Sequence, residues 1–427
     1  MKYDVIVVGG GPAGSSAAIE LAQAGCRVLV LESKRMPREK LCGEFITPEC
    51  QPALARLGIL DELPALGART ITGLTLTAAT GRQISTSFRA VSSQADFGIG
   101  LSRALLDQAL FERARRAGAH CLEGFRVKRC LFESGLPSGV RATSLSNAHT
   151  YTFNAPLIID ASGRNSRLTV ARGERTGGRR GSRLYAFKAH LRGVEGVNDA
   201  VELYFFRRGY GGLSRVENGL VNLCFIVSES TLKATAGDPT KILRETIISN
   251  SVARDRLASA RVEGKWHSCG PLRFGRKPLA RDGIIAVGDA SGMIDPFTGT
   301  GIQMALRTGE MVAQSVVYAL GKEAAAYRSA TPFENGCDER LAPADENQSS
   351  VLGNTLASYG RLYEREFGSR MAAASLLRRI VFSTSITNTL GFALSYVPQL
   401  TRCLLRTTRH GSEVSSAGTL VSGARGD

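Results

Sequence analysis

The sequence of 427 residues contains few of the residues from which metal sites and disulfide frameworks are built. Its nine cysteines include no C-x-x-C pair, and its five histidines are scattered without zinc-type spacing. We therefore predict no metal site. No secretion signal precedes the apolar strand that begins at Tyr3, so free thiols in a reducing cytoplasm are expected.

Positive charge is the main excess. The net charge is +16, whereas hydrophobic and charged residues make up 43% and 22%, as in ordinary globular proteins. The densest cluster comprises Arg172, Arg175, Arg179, Arg180 and Arg183. We interpret it as a solvated loop, with attraction of an anionic substrate or an anionic membrane surface as the alternatives. Nucleic-acid binding is not expected, because no recognised binding motif accompanies the charge.

The first 32 residues follow the pattern of a nucleotide-binding strand, helix and strand. An apolar run predicts a strand buried on both faces, and it leads directly into G-x-G-x-x-G. In this pattern Gly9 allows a sharp turn, Gly11 lets a pyrophosphate approach the backbone, and Gly14 lets the helix pack closely. The second strand ends at Glu32, whose carboxylate can accept hydrogen bonds from ribose hydroxyls.

The segment after Glu32 is polar and basic. Residue chemistry alone leaves two interpretations open: a surface loop, or a loop in which Arg38 and Lys40 balance a diphosphate and Gly43 lets the backbone pass close to a ring. Farther along, Arg103 lies in the first turn of a predicted helix. A cation is unfavourable there unless it meets an anion.

Two later strands also end in an acidic residue and glycine. One buried strand ends at Asp160 and is followed by Gly163, although Asp160 could serve only to cap the turn. The other is followed by Gly288 and Asp289, and a glycine-rich segment then precedes a long helix. The N–H groups at the start of that helix favour negative charge.

Together the three motifs resemble those of flavoproteins with the p-hydroxybenzoate hydroxylase fold. Within that group, residues 40–44 and 288–309 are most similar to geranylgeranyl reductase relatives. The resemblance covers about residues 1–330. It implies an α/β fold with a Rossmann-like FAD-binding domain of that type, an inserted antiparallel-sheet substrate domain and C-terminal helices.

The same resemblance implies roles for individual residues. Gly9, Gly11, Gly14 and Glu32 would hold the ADP half of FAD. Arg103 would approach the diphosphate or ribityl region, Asp289 would bind the ribityl chain, and residues 299–302 would lie near the flavin ring. Asp160 and Gly163 fall in a motif that in hydroxylases serves both FAD and reduced nicotinamide. The full predicted set of cofactor contacts is Gly9, Gly11, Pro12, Ala13, Gly14, Glu32, Ser33, Arg38, Gly43, Arg103, Asp160, Gly163, Gly288, Asp289, Pro296, Gly299, Gly301 and Ile302.

The predicted organisation divides the chain into four parts: a discontinuous FAD-binding domain (1–69, 98–170 and 275–330), a substrate domain (70–97 and 171–274), a C-terminal helical region (331–410) and a disordered tail (411–427). The uncharged stretch at 380–401 is marginally long enough to cross a membrane but is rich in serine and threonine. We favour helices packed over the substrate pocket, with peripheral membrane association through basic helices as the alternative.

Three departures from the family pattern limit the prediction of substrate and electron donor. Residues 209–214 lack the aromatic motif that prenyl reductases carry on the substrate sheet, and Trp266, the single tryptophan, does not form the halogenase signature. No second G-x-G-x-x-G follows a strand, which argues against a dedicated NAD(P)H domain. NAD(P)H is therefore expected to bind transiently, or another protein donates the electrons.

The predicted function is that of an FAD-dependent oxidoreductase that reduces a carbon–carbon double bond in a small apolar or amphipathic substrate, isoprenoid-like or polyketide-like. The alternative is an FAD-dependent monooxygenase that hydroxylates an aromatic or polyketide substrate. From a different class, a nucleotide-binding regulatory protein is disfavoured by three separate flavin motifs. Cys42, between Lys40 and Gly43, is the candidate catalytic residue: its thiol could donate a proton to the substrate carbon. Alternatively, it is a small residue that allows close packing.

Overall fold

The computed structural model describes residues 2–90, 92, 95–169, 183–321 and 348–381. The strands are β1 (Val5–Val8), β2 (Val28–Glu32), β3 (Phe45–Ile46), β4 (Arg69–Ile71), β5 (Gly73–Thr77), β6 (Gln83–Ser87), β7 (Gly98–Gly100), β8 (His120–Glu123), β9 (Phe125–Glu133), β10 (Leu136–Ser144), β11 (Thr150–Asn154), β12 (Leu157–Asp160), β13 (Leu184–Arg192), β14 (Ala200–Phe206), β15 (Gly209–Arg215), β16 (Val221–Ser228), β17 (Arg261–Cys269), β18 (Gly275–Arg276), β19 (Ala280–Arg281), β20 (Ile284–Ala286) and β21 (Gly292–Met293).

The α-helices of the same residues are α1 (Pro12–Gln23), α2 (Gln51–Arg56), α3 (Arg103–Arg116), α4 (Glu229–Ala234), α5 (Pro239–Glu245), α6 (Ser251–Arg256), α7 (Gly301–Ala319) and α8 (Gln348–Val381). The arginines at 172, 175, 179 and 180, residues 322–347 of the chain and everything from residue 382 onward lie outside the described residues. Most of the proposed membrane-associated stretch is therefore not described.

A six-stranded sheet in the order β19-β20-β12-β1-β2-β8 carries the three predicted motifs. Its central strands are parallel and buried on both faces, as their continuous apolar sequence predicts. On one face Val5 and Val7 pack beneath α1 and α7, and on the other Ile6 and Val8 pack against β10. This double cover explains why β1 contains no polar side chain.

A seven-stranded sheet in the order β17-β13-β16-β15-β14-β5-β6 forms the second large layer. We refer to it as the substrate sheet. Its neighbouring strands are antiparallel except for β14 and β5, which run parallel with Val201 opposite Leu74. Because β5 and β14 are separated by more than 100 residues, no hairpin requires them to be antiparallel. Phe187 and Phe225 on one face pack beneath the short helices α4 to α6.

The long helix α8 packs along α7. The Tyr359 hydroxyl donates to the carbonyl of Ala286 at 2.9 Å, and Arg307 forms an ion pair of 2.7 Å with Glu366. Arg378, near the end of α8, lies over the Phe274 ring, so this helix reaches the loop region next to the substrate sheet. Among the described helices, none combines the length and the apolar character that a membrane span requires. The domain boundaries given above stay a prediction.

Candidate functional site

The carboxyl ends of β1, β12 and β20 lie side by side, because Val8 pairs with Asp160 and Asp160 pairs with Ala286. The three motifs therefore leave the sheet at one edge. Gly9 turns there with a φ of +111°, and a side chain on it would place Cβ 2.4 Å from the carbonyl oxygen of Ala161. This close approach of two loops requires glycine at position 9.

Two groups stand out among the predicted cofactor glycines. Gly14 and Gly288 are packed tightly: a Cβ on Gly14 would lie 1.9 Å from the Gly9 carbonyl oxygen, and one on Gly288 would lie 3.0 Å from Ala13. In the second group the backbone borders open space, since an added Cβ would meet no atom within 4 Å. That group comprises Gly43, Gly163 and Gly301. The second group leaves room for a ligand against the backbone.

Glu32 at the end of β2 is buried and accepts four hydrogen bonds. Its Oε2 atom accepts from the Gly10 N–H at 2.9 Å and from Arg38 at 3.4 Å. Its Oε1 atom accepts from the Ser33 hydroxyl at 3.2 Å and from the Lys34 N–H at 3.0 Å. The two longer contacts, from Ser33 and Arg38, are the ones that ribose hydroxyls would replace most easily.

Arg38 and Arg103 share one buried counter-ion. Arg38 Nη1 donates to Asp107 Oδ2 at 2.7 Å, and Arg103 Nε donates to Asp107 Oδ1 at the same distance. The anion that Arg103 was expected to need is therefore Asp107, one turn along α3. Arg38 also contacts the Glu32 carboxylate at 3.4 Å, so the two guanidinium groups are matched by two carboxylates, Asp107 and Glu32. The buried Arg38 Nε has no hydrogen-bond partner among the described residues, and Arg38 Nη2 lies 3.4 Å from a Cβ built on Gly11.

Lys40 adds a cation whose charge is sensitive to pH. The residue as a whole is exposed, but desolvation of its ammonium group and the nearby charges of Arg38 and Arg103 lower its pKa to about 8. An anion bound among these three cations would oppose that shift and favour the protonated amine. The arrangement thus fits a diphosphate, as the chemistry of the basic segment suggested.

Asp289 lies within the same electrostatic environment. Burial raises the pKa of its carboxyl group, while the charges of Arg103, Lys277, Arg164 and Lys40 oppose that rise. Among the described residues none hydrogen-bonds to the carboxylate, so its oxygens are available to hydroxyl groups of a ligand. Lys277 instead donates to the backbone carbonyls of Asp289 and Arg164, at 2.9 and 3.1 Å, which ties the second and third motifs together.

Asp160 has a different environment. It is fully buried, and its carboxylate accepts hydrogen bonds from the Ser162 backbone N–H at 3.0 Å and from the hydroxyls of Ser162, Ser166 and Thr169. These contacts hold the turn that follows β12. The observed role is therefore the capping role that the sequence left open, and cofactor contact by Asp160 stays a prediction.

The remaining predicted contacts divide between helix packing and a cavity. Pro12 occupies the first turn of α1, and Ile302, in the first turn of α7, is buried in the main core. Pro296, Gly299 and Gly43 line a cavity in front of the substrate sheet. The sequence predicted Gly43 and Gly299 close to the flavin ring and Pro296 as a cofactor contact, and the structure brings the three residues together around one cavity.

The cavity has a volume of about 100 Å³, and the empty space counted together with the solvent at its open mouth is about 780 Å³. Its wall is mainly apolar, and the strand β15, which replaces the missing aromatic motif, forms its floor. Gly212 on β15 contributes space rather than a side chain. The lining residues from the substrate sheet are Leu74, Leu76, Val201, Leu203, Tyr210, Gly212, Leu213, Ser214, Cys224 and Ile226. Trp266 packs on Phe225, on the opposite face of the sheet, and does not reach the cavity.

Cys42 lies in the turn beside this cavity. Its Sγ atom accepts from the Glu44 N–H at 3.4 Å and interacts with the Arg103 guanidinium group. Its carbonyl accepts from Asn222 Nδ2 at 3.1 Å, which fixes the turn to the substrate sheet. The side chain is half-buried, so both a catalytic and a packing role remain compatible with its position.

Sequence reasoning missed the buried ionic cluster beneath this turn. The Lys188 ammonium group donates to Glu44 and, at 2.7 Å, to Glu39, while His190 Nε2 lies 2.5 Å from Glu44. Glu44 also accepts from the Arg103 N–H at 2.8 Å. Although Glu39, Glu44 and His190 approach closely enough to bind a metal, Lys188 already supplies the positive charge. The sequence feature that could have indicated this cluster is Lys188 itself, because a lysine within an apolar strand is buried only when it is paired.

Known proteins share both the sequence pattern and the fold of this chain. The sequence matches the family described as FAD binding domain over residues 2–328. It is 28% identical over 332 residues to digeranylgeranylglycerophospholipid reductase 2 of Methanopyrus kandleri, covering 76% of this chain and 79% of that protein. It is 24% identical over 391 residues to the flavin-dependent halogenase armH3 of Armillaria mellea, covering 86% and 76%. The fold is similar to that of the flavin-dependent brominase Bmp2, with a TM-score of 0.74, 18% identity and coverage of 97% and 96%.

Proposed function

This chain belongs to the FAD binding domain family and is an FAD-dependent oxidoreductase, and on that premise we propose that it reduces a carbon–carbon double bond of an apolar or amphipathic substrate. The electrons come from NAD(P)H bound transiently or from a protein donor. When bound, FAD supplies the hydride. Side chains of the protein must bind and orient the substrate, exclude water and supply the proton.

Five features of the site fit FAD. The buried Glu32 carboxylate lies at the end of β2, where the nucleotide-binding pattern predicts the adenosine ribose, and Gly11 has no side chain that would keep a diphosphate from the backbone. Arg38, with an unpaired buried Nε atom, and Arg103 provide the positive charge. The unpartnered Asp289 carboxylate suits the ribityl hydroxyls. Since two of these residues share Asp107, their guanidinium groups are oriented before the cofactor arrives.

The observation that carries the proposal is the cavity between the substrate sheet and the segments predicted near the flavin ring. Gly43 and Gly299 contribute one wall, and leucine, valine and isoleucine side chains of the sheet contribute the other. Such a wall binds a hydrocarbon by removing it from water and excludes solvent from the reacting atoms. A non-polar double bond is a suitable group for this environment.

Cys42 is proposed to supply the proton that double-bond reduction requires after hydride addition. A thiol that gives up its proton becomes a thiolate, and the adjacent Arg103 guanidinium group stabilises that negative charge. The Asn222 bond to the Cys42 carbonyl holds the turn in place while the proton moves. The alternative role, that of a small residue needed for packing, predicts no effect on substrate-dependent steps.

Similarity to a reductase of isoprenoid lipids supports an apolar substrate, and it favours reduction over oxygen insertion. The test is to reduce the holoenzyme without oxygen and to add a polyprenyl lipid in the absence of air. Recovery of the oxidised FAD spectrum together with a product that has gained two hydrogen atoms would support reduction. A product formed only after oxygen is admitted, and carrying one added oxygen atom, would replace the proposal with the monooxygenase alternative.

A further inference from the structure

The cavity face of the substrate sheet changes character from one side to the other. In one row across the strands, Leu76 pairs with Leu203 and Leu203 with Gly212, all at the apolar side. In the neighbouring row Ser214 pairs with Asn222, and Asn222 pairs with His190. Leu74, Leu76, Val201, Leu203 and Ser214 line the cavity, and the fully buried Asn222 lies beside Ser214 on the neighbouring strand. A ligand in the cavity therefore meets hydrocarbon at β5 and β14 and the polar Ser214 at β15.

Two oxygen atoms at the polar side have unused hydrogen-bonding capacity. Ser214 is 2% exposed and Asn222 is 0% exposed. Within the described part of the chain, neither Ser214 Oγ nor Asn222 Oδ1 has a hydrogen-bond partner. The orientation of the Asn222 amide group is fixed, because its nitrogen Nδ2 donates to the Cys42 carbonyl. A buried polar atom without a partner is costly, by about 1–3 kcal/mol, so such atoms call for a ligand or water.

The chemistry of this pair specifies a complementary group. Asn222 Oδ1 can only accept, whereas Ser214 Oγ can donate as well as accept. A ligand hydroxyl satisfies both, because its O–H donates to Asn222 and its oxygen accepts from Ser214. A charged group is less suitable, since Lys188, which lies opposite Cys224 on the same sheet, is already neutralised by Glu39 and Glu44.

We infer that Ser214 and Asn222 form a specificity subsite for a hydroxyl group, and that the substrate is an alcohol or phenol whose apolar body lies over the leucines of β5 and β14. The inference builds on the proposed function by naming the polar end of the substrate. It also orients the ligand, because the hydroxyl is held next to the turn that contains Cys42 and Gly43.

The first test needs no substrate. Ser214→Ala removes a buried oxygen that has no partner, so the Tm of the holoenzyme should be unchanged or higher. Ser228→Ala is the matched control on the adjacent strand, because the Ser228 hydroxyl caps α4 by accepting from the Thr231 N–H at 3.4 Å. That variant should lower the Tm. A comparable fall in the Ser214 variant would overturn the inference, since it would reveal a structural partner for the hydroxyl.

The second test measures equilibrium binding of matched probes to the oxidised holoenzyme. Farnesol is compared with its deoxygenated hydrocarbon, and beta-naphthol with beta-methylnaphthalene. In Ser214→Ala the affinity for the hydroxyl probe, relative to its hydrocarbon, should fall about tenfold in at least one pair, which is the scale of one hydrogen bond. Asn222→Leu should lower the same ratio. Cys224→Ala, which shortens the same wall without removing oxygen, should alter both affinities together.

An unchanged ratio in Ser214→Ala for both pairs would overturn the subsite. Because these measurements contain no turnover, they are independent of the reaction type. If double-bond reduction proved not to be the activity, a measured preference for the hydroxyl probes would still support the subsite. Conversely, reduction that proceeds equally well in Ser214→Ala, with an unchanged binding ratio, would remove the subsite and leave the proposed function intact.

Discussion

The buried ammonium group of Lys188 on the substrate sheet is paired with the buried carboxylate of Glu44 in the turn next to the cofactor segments. Burial disfavours the charged lysine, but Glu44 and Glu39 outweigh that cost and raise its pKa. The same carboxylate holds His190 and the first N–H of α3. One side chain thus joins three parts of the molecule.

Replacing Lys188 with methionine should destabilise the protein strongly. The change leaves Glu44 with less compensation for its buried charge, and removal of one partner of such a pair costs about 3–5 kcal/mol. The free energy of unfolding from chemical denaturation provides the measurement. Lys241→Met, which breaks only an exposed pair with Glu245, should cost less than about 1 kcal/mol. Equal losses in both variants would contradict the buried role of Lys188.

Glu32→Ala should weaken FAD binding by about 1–2 kcal/mol, the value of a charge-assisted hydrogen bond. The purified protein should contain FAD rather than FMN, because a ribose-binding carboxylate has no role in an FMN site. Affinity can be measured by titrating the apoprotein with FAD. Asp4→Ala, which breaks the exposed pair between Asp4 and Arg27 at the other end of the same layer, is the control and should bind FAD normally. Unchanged affinity in the Glu32 variant would remove that residue from the site.

Asp289→Asn should reduce flavin content and turnover while the fold stays largely intact. The substitution removes an acceptor that no described residue uses, so circular dichroism should remain unchanged as bound flavin is lost. Asp282→Asn makes the same chemical change at an exposed turn between β19 and β20, where the backbone has a φ of +49° that asparagine tolerates. Equal flavin content and turnover in the two variants would argue against the third motif as a cofactor contact.

FAD affinity should depend on pH through Lys40. Because its pKa in the free protein is lowered to about 8, the amine loses its proton as the pH rises through that value. A diphosphate favours the protonated form, so binding above pH 8 requires proton uptake and should weaken by up to about tenfold per pH unit. Titrations at several pH values test this. Lys40→Met should bind more weakly at neutral pH and lose this dependence; a slope that persists in the variant would assign the proton to another group.

Cys42→Ser distinguishes catalysis from packing. If the thiol is the proton donor, reduction of FAD by NAD(P)H should survive, whereas reoxidation by substrate should slow by about 100-fold or more. Rapid-mixing absorbance separates the two half-reactions. Cys130→Ser, on β9 and remote from the cavity, is the matched control, and its reoxidation rate should match that of the unmodified protein. Normal reoxidation in the Cys42 variant would identify this residue as packing.

The parts of the site that are local in sequence could be predicted, whereas long-range pairs could not. The β1 strand, its glycine turn and the ends of β12 and β20 are each encoded within about ten residues, and a parallel sheet brings their carboxyl ends together. Glycine itself was ambiguous: the pattern predicted contacts for Gly14 and Gly301 alike, but only the structure separates tight packing from open space.

The partners of the buried charged residues could not be predicted from the sequence, and the reason is physical. Nothing within the segment around Arg38 indicates that its counter-ion is Asp107, 69 residues away, because Coulomb attraction depends on distance in space. The Glu44 and Lys188 pair has the same character. Asp160 illustrates the opposite case, in which a local turn already uses the carboxylate that a motif assigns to a ligand.

The central position of β1 has a consequence for how the chain acquires its shape during synthesis. Its neighbour β12 ends at Asp160, and the next strand in the sheet, β20, ends at Ala286. At about 5–20 residues per second, these strands leave the ribosome several seconds to nearly a minute after β1. The first strand, helix and strand must wait through that interval with an unpaired edge. A nascent chain interrupted before residue 284 therefore exposes strand edges that promote aggregation, and full cofactor loading belongs to the last stage of folding.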